Sequence, residues 1–345
     1  MKELIISHRL KLFILIQILI STYWNRRWLQ GLYTTLKCSL YFHFNRAISS
    51  SSSRYFSVTR HKCADGEEAV IYNLRKNDTK DVWIILPGGM THGDKFYVHD
   101  CLFSGVLGDR DDVLVFHNPG IANKVKRKAP PALTDTTYIE EYVRYLVSNG
   151  RRVSLIGFSA GGMLAIAATK LRDINAKDKP LVRRVVAVHC PDRIRDVFET
   201  HQSGWIRLDR IFALSLFLTM WRSGSSKVLS RKRGGGFGKN PLVLPSALMF
   251  GWSWMKRFTE KVFQRHWYDM EADLWSCRDA MTKPVKTPLL RIISRNDPIV
   301  WTRNCVDPAL FCNISKVIVQ NNGGHCAAFV EKSVIDEMRA WCDDH

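Results

Sequence analysis

The chain reads as an α/β fold: a mostly parallel central sheet, helices on both of its faces, and one inserted helical lid. Three observations carry this reading. From Glu67 onward, short runs rich in Val and Ile alternate with stretches of helical periodicity, the pattern of strands buried on both faces. One of these runs passes through Gly157-Phe158-Ser159-Ala160-Gly161-Gly162 directly into a helical stretch. The alternation is interrupted once, by residues 192–275, where a connection of roughly 2–6 residues is usual.

Taken in order, the first 62 residues stand apart from this pattern. They hold ten basic residues against a single acid, Glu3, and no other acid precedes Asp65. Residues 12–25 are uncharged and apolar at their start, shorter than the roughly 17–25 residues of a spanning helix. A serine tract at 49–53 leads into Arg54-Tyr55-Phe56-Ser57, an order that resembles sites cut by the matrix processing peptidase. An Arg-rich, Ser-rich, acid-poor leader has the composition of a mitochondrial presequence. The same residues also fit a signal anchor in the secretory membrane ended by Arg26 and Arg27, with the sequons at Asn77 and Asn313 then open to glycosylation, or an unimported basic tail.

Candidate strands follow at 69–74, 82–86, 112–117, 152–157, 183–189, 288–294 and 316–320. Helices fit at 137–148, where Tyr138, Tyr142, Tyr145 and Leu146 share a face, and at 160–171 and 327–342. The expected division is therefore a targeting or anchor segment at 1–62 and one folded domain at 63–345, with the lid at 192–275 inside it. Within the lid lie an apolar helix candidate at 211–221, a Gly/Ser/Arg-rich linker at 223–239 and an aromatic run at 249–255.

The charge of +19 separates by position. A second basic block, residues 222–266, holds ten Lys and Arg against Glu260, and outside the two blocks the 345-residue chain is close to neutral. A nearly neutral body excludes a surface built for nucleic acid, and two local cationic segments point to targeting or to an anionic membrane surface. Hydrophobic content of 46% with 24% charged residues excludes collagen, coiled coil and wholesale disorder. The nine cysteines are odd in number and scattered without C-x-x-C, which favours reduced thiols over a disulfide scaffold or a zinc site.

Chemistry enters at Ser159. Small residues on either side of it let the chain turn sharply enough to lift the hydroxyl above the sheet edge. Alone the motif is weak; between a strand and a helix, with partners in the right order, it is strong. The first partner is Asp297, immediately after the strand 288–294. The second is His325, in Gly323-Gly324-His325 after the last strand. Taken singly, Asp297 also reads as a turn former before Pro298 and His325 as a helix-cap residue. Pro87-Gly88-Gly89 ends the strand 82–86, and the backbone N–H groups of Gly89 and Ala160 are the expected oxyanion donors, although Pro-Gly-Gly also reads as a simple turn.

These blocks, together with the Tyr97 region and Val115-Phe116-His117-Asn118-Pro119-Gly120, resemble the α/β-hydrolases, and among them the membrane-anchored abhydrolase domain-containing proteins one and three and related bacterial esterases. The likeness spans roughly 65–345 and is poor in the lid. It implies an α/β-hydrolase fold, a Ser159–Asp297–His325 triad and acyl-ester substrates that include phospholipids. Two departures stand out: Pro87-Gly88 replaces a His-Gly found in many members, and Asn118-Pro119-Gly120 replaces an Asn-x-Arg-Gly block, so substrate choice does not carry over.

The expected reaction is serine ester hydrolysis through an acyl-enzyme, with no metal or organic cofactor. Trp205, Trp221, Trp252, Trp254 and Trp267, interleaved with the lid's cations, read either as a surface that meets lipid or as the packing of a lid core. Competing classes are a thioesterase or acyltransferase, and a catalytically silent membrane scaffold of the same fold.

Overall fold

The computed structural model describes residues 30–37, 57–88, 95–109, 111–120, 122–123, 134–173, 179–202, 276–282, 286–301 and 316–345, with Arg210 and Ser253 as isolated positions. Residues 1–29, most of the insertion, and Gly89 lie outside the described residues. Among the described residues, no helix is long and apolar enough to cross a membrane.

Among the described residues, eight strands form one sheet: β1 (Ser57–Lys62), β2 (Glu68–Arg75), β3 (Asp81–Leu86), β4 (Asp112–His117), β5 (Arg152–Phe158), β8 (Val182–Val188), β9 (Leu289–Ser294) and β10 (Lys316–Gln320). Their order is β1-β2-β4-β3-β5-β8-β9-β10. β2 runs antiparallel to both neighbours, and the other pairings are parallel. The short β6 (Arg172–Asp173) and β7 (Lys179–Pro180) make a separate hairpin. The seven strands expected from the Val/Ile runs are all present, each within one residue at either end.

β1 is the exception. Sequence reading leaves 57–62 with the leader, yet these residues pair with β2 from Ser57↔Asn73 to Lys62↔Glu68. An edge strand needs only one partner's backbone, so it carries no apolar alternation, and five of its six side chains are exposed. Cross-strand bonds from Asn73 to Ser57 and from Arg60 to Glu68 hold it. The sheet therefore begins upstream of residue 63.

The period of two sends alternate side chains to two cores. Val82, Ile84 and Leu86 of β3 join Leu114, Phe116, Leu155 and Val185 on one face. Trp83 and Ile85 join Val113, Val115, Ile156, Val186 and Ile292 on the other. On the first face lie α3 (Thr137–Ser148) and α4 (Ala160–Ala168); on the second lie α2 (Phe96–Phe103) and α7 (Lys332–Asp344). A helix 30–37, α1, precedes them, and among the described residues α5 (Ile194–Gln202) and α6 (Arg278–Thr282) follow. A 3-10 turn, Ala328–Val330, precedes α7 where the periodicity predicts one longer helix. In α3, Tyr138, Ile139, Tyr142, Val143 and Leu146 are buried. Tyr145, expected on that face, is 52% exposed and stacks on Tyr142 and His61 at the sheet's margin.

The two stems of the insertion are tied to each other. Arg193 bridges Ser276, and the Cys277 N–H donates to Asp192 O at 3.0 Å. Beneath them Arg291, fully buried in β9, donates to Asp192 Oδ1 at 2.7 Å and to Cys190 O at 2.6 Å.

Candidate active site

β5 ends at Phe158 and α4 begins at Ala160, so Ser159 occupies the turn alone, at φ 52° and ψ −122°. A non-glycine residue there is strained by roughly 1–3 kcal/mol and persists only when its surroundings hold it. They do: the Ser159 N–H donates to Val188 O, and Ser159 O accepts the Gly162 N–H, both at 2.9 Å. The flanking glycines are sterically required. A Cβ on Gly157 would stand 2.2 Å from Gly161 O, and one on Gly161 would stand 2.1 Å from Leu86 O.

Asp297 follows β9 and is buried. Its Oδ1 accepts the N–H groups of Ile299 and Val300, each at 2.8 Å, as a turn-forming aspartate does. The same carboxylate meets His325 Nδ1, at 2.8 Å from Oδ2 and 3.1 Å from Oδ1. A carboxylate only accepts, so Nδ1 carries the proton and Nε2 is left with its lone pair. Burial pulls the His325 pKa down, but the charge of Asp297 and hydrogen bonds to Asp297 and Cys326 outweigh it, and the net shift is well upward. Such a pair can take a proton from a hydroxyl and hold the positive charge that results.

The loop that presents His325 is left-handed on both sides of it, at Gly324 (φ 56°) and Cys326 (φ 63°). Three consecutive amides of this loop each donate to a side chain from a different segment. The Gly324 N–H donates to Asn296 Oδ1 at 2.8 Å, the His325 N–H to Thr35 Oγ1 at 2.7 Å, and the Cys326 N–H to His189 Nδ1 at 2.8 Å.

His189 is a site residue that the sequence reading misses. It stands at the end of β8 with φ 47°, fully buried, its Nδ1 3.9 Å from Asp297 Oδ2. Because Nδ1 accepts from Cys326, Nε2 carries the hydrogen and donates to Gln320 Oε1 at 2.9 Å. Burial lowers its pKa to about 4 despite Asp297, so the ring is neutral at pH 7. A histidine closing a strand at the sheet's carboxyl edge is the signal that could have found it.

Of the two expected oxyanion donors, Ala160 opens α4, where the first four N–H groups have no intrahelical acceptor and the helix dipole favours negative charge. Gly89 lies outside the described residues. Its neighbour Gly88 packs so closely that a Cβ there would be 3.3 Å from Ser159 Cβ, and its N–H donates to Tyr97 Oη at 3.0 Å. Trp205, Trp221, Trp252, Trp254 and Trp267 also lie outside the described residues.

Residues 83–336 match the model of the alpha/beta hydrolase family. Among solved structures, the chain is similar to the alpha/beta hydrolase GrgF from Penicillium sp. sh18, at 16% identity and TM-score 0.54, covering 84% of this chain and 96% of that one. A bacterial membrane phospholipase A aligns over 100% of this chain and 99% of its own, at 17% identity and TM-score 0.50. The Pyrococcus furiosus esterase Pf2001 aligns over 86% and 95%, at 16% identity and TM-score 0.49. No curated protein matches. With the family model covering most of its length and the sheet order and strand directions agreeing, the chain belongs to the alpha/beta hydrolase family.

Proposed function

We propose that the protein is a serine hydrolase of acyl esters, acting on lipid esters at a membrane surface. The observation that carries this reading is the Asp297–His325 pair, held at the same sheet edge as a strained Ser159. In the reaction His325 Nε2 takes the Ser159 hydroxyl proton as Oγ attacks the ester carbonyl, and Asp297 stabilises the imidazolium. The oxyanion is held by backbone N–H groups of Ala160 and Gly89. Collapse of the tetrahedral intermediate breaks the C–O bond, the alcohol leaves with the proton from His325, and water hydrolyses the acyl-enzyme by the same path.

The lipid reading rests on the insertion's sequence, six tryptophans and fourteen Lys and Arg within residues 192–275, a composition suited to an interface that is apolar on one side and anionic on the other. The fold is shared with a membrane phospholipase A. For location we propose the mitochondrion, or a membrane held through an N-terminal signal anchor, in keeping with the leader's composition.

A fluorophosphonate probe tests the chemistry. Labelling at Ser159 that disappears in Ser159→Ala is the expected outcome. A folded protein that takes no label would instead favour the silent-scaffold reading, and product analysis over a panel of lipid esters and thioesters separates hydrolysis from acyl transfer.

A further inference from the structure

Helix α1 belongs by sequence to the leader, yet it lies against the loop that carries His325. The packing is tight enough to require glycine on both sides. A Cβ on Gly31 would stand 1.5 Å from Asn296 O, and one on Gly324 would stand 2.4 Å from Gly31 O and 2.6 Å from Thr35 Oγ1. Across this contact the Thr35 hydroxyl gives its proton to Gly31 O at 2.8 Å, which turns an oxygen lone pair toward the His325 N–H at 2.7 Å.

That bond is one of three that fix the loop, and it is the one made at His325 itself. Between left-handed neighbours, the His325 backbone has no helix or strand to hold it. Its amide anchor sets the backbone from which the imidazole reaches Asp297. Asn296 and His189 fix the residues on either side, so the Thr35 bond completes the set.

We propose that α1 is a working part of the active site, with Thr35 a positioning residue for His325, and that the segment is kept in the active enzyme. Cleavage at Arg54-Tyr55-Phe56-Ser57 would then remove an anchor of the catalytic loop and silence the protein. The proposal rests on the reading of His325 as the general base.

The full-length chain tests it with a short soluble p-nitrophenyl ester. Thr35→Val, which keeps the shape and removes the hydroxyl, should lower kcat about tenfold with KM nearly unchanged, the scale of one lost orienting hydrogen bond. Thr35→Ser, which keeps the hydroxyl, should restore kcat to within about twofold of the parent. If Thr35→Val does not fold, Thr35→Ala carries the same expectation. Equal kcat in the hydroxyl-free variants, or an equal loss in Thr35→Ser, overturns the proposal. Failure of the parent chain to label with fluorophosphonate would instead overturn the hydrolase reading beneath it. Intact-mass analysis of probe-labelled protein from its native cells reads the second half: the labelled species should contain residue 35, and an active labelled species that begins downstream of Arg54 overturns retention.

Discussion

At their carboxyl ends β5, β8 and β9 lead into Ser159, His189 and Asp297, and β10 leads into the His325 loop. At their amino ends β3, β4, β5 and β8 carry Asp81, Asp112, Arg152 and Arg183. The first rim is built from constrained backbone. Three of the four non-glycine residues with positive φ among the described residues stand there, Ser159, His189 and Cys326, while the fourth, Asp78, is a short polar residue in the connection between β2 and β3. The second rim is built from charge: Asp81 pairs with Arg152 and Arg183, and the buried Asp112 with Arg151. Strained backbone needs a rigid frame, whereas an ion pair needs only its two partners. The catalytic rim should therefore report on activity and the opposite rim on stability.

The sharpest break is Ser159→Ala, expected to lower ester hydrolysis by about 10⁴- to 10⁶-fold while the thermal midpoint stays near the parent's, as assay and melt together would show. Asp297→Asn comes next, at roughly 10⁴-fold. It also moves the acid limb of the kcat/KM profile. With His325 as the proposed general base its neutral form is the active one, and its raised pKa should make the parent's rate climb above the ordinary histidine range, so loss of the Asp297 charge should shift that limb to lower pH. The pair's contribution to stability follows the same sign: fully present below about pH 6.5, and lost as pH rises through the folded value.

Gly161→Ala tests whether the frame and the strain are one thing. Its Cβ would meet Leu86 O at 2.1 Å and Pro87 O at 2.4 Å, so both stability, by about 3 kcal/mol, and activity should fall. On the opposite rim, Asp112→Ala should cost about 2 kcal/mol in denaturant unfolding, because it strands the partly buried Arg151, while kcat stays at the parent's value. Smallest is Arg152→Ala, whose side chain is 58% exposed; about 0.5 kcal/mol or less is expected. A drop in kcat from either amino-rim change would erase the contrast between the rims.

Most of the carboxyl rim is legible in the amino-acid sequence. Parallel strands buried on both faces need unbroken Val/Ile runs, so seven of them announce themselves, and Ser159, Asp297 and His325 sit in loops whose glycines and order are local signals. What escapes is made by contact between distant segments. Thr35 and His325 are 290 residues apart, and His189 and Cys326 are 137 apart. No local pattern encodes either bond. β1 escapes for the opposite reason, since an exposed edge strand has the polar, basic look of the leader beside it. Tyr145 is misplaced because an aromatic ring at helical spacing can stack at a margin as readily as it can enter a core.

The knot at the foot of the insertion sets how freely this family member can diverge. Asp192, Arg193, Ser276 and Cys277 close the loop at its base, with Arg291 beneath. Once a loop is pinched shut, its closure entropy grows only with the logarithm of its length, about 0.6 kcal/mol for each doubling. The 82 residues between Arg193 and Ser276 thus leave and re-enter the domain at one fixed socket. Beyond α5, which packs on the domain through Val197, the segment can lengthen or shorten at little entropic penalty while the rim bearing Ser159, Asp297 and His325 stays unchanged.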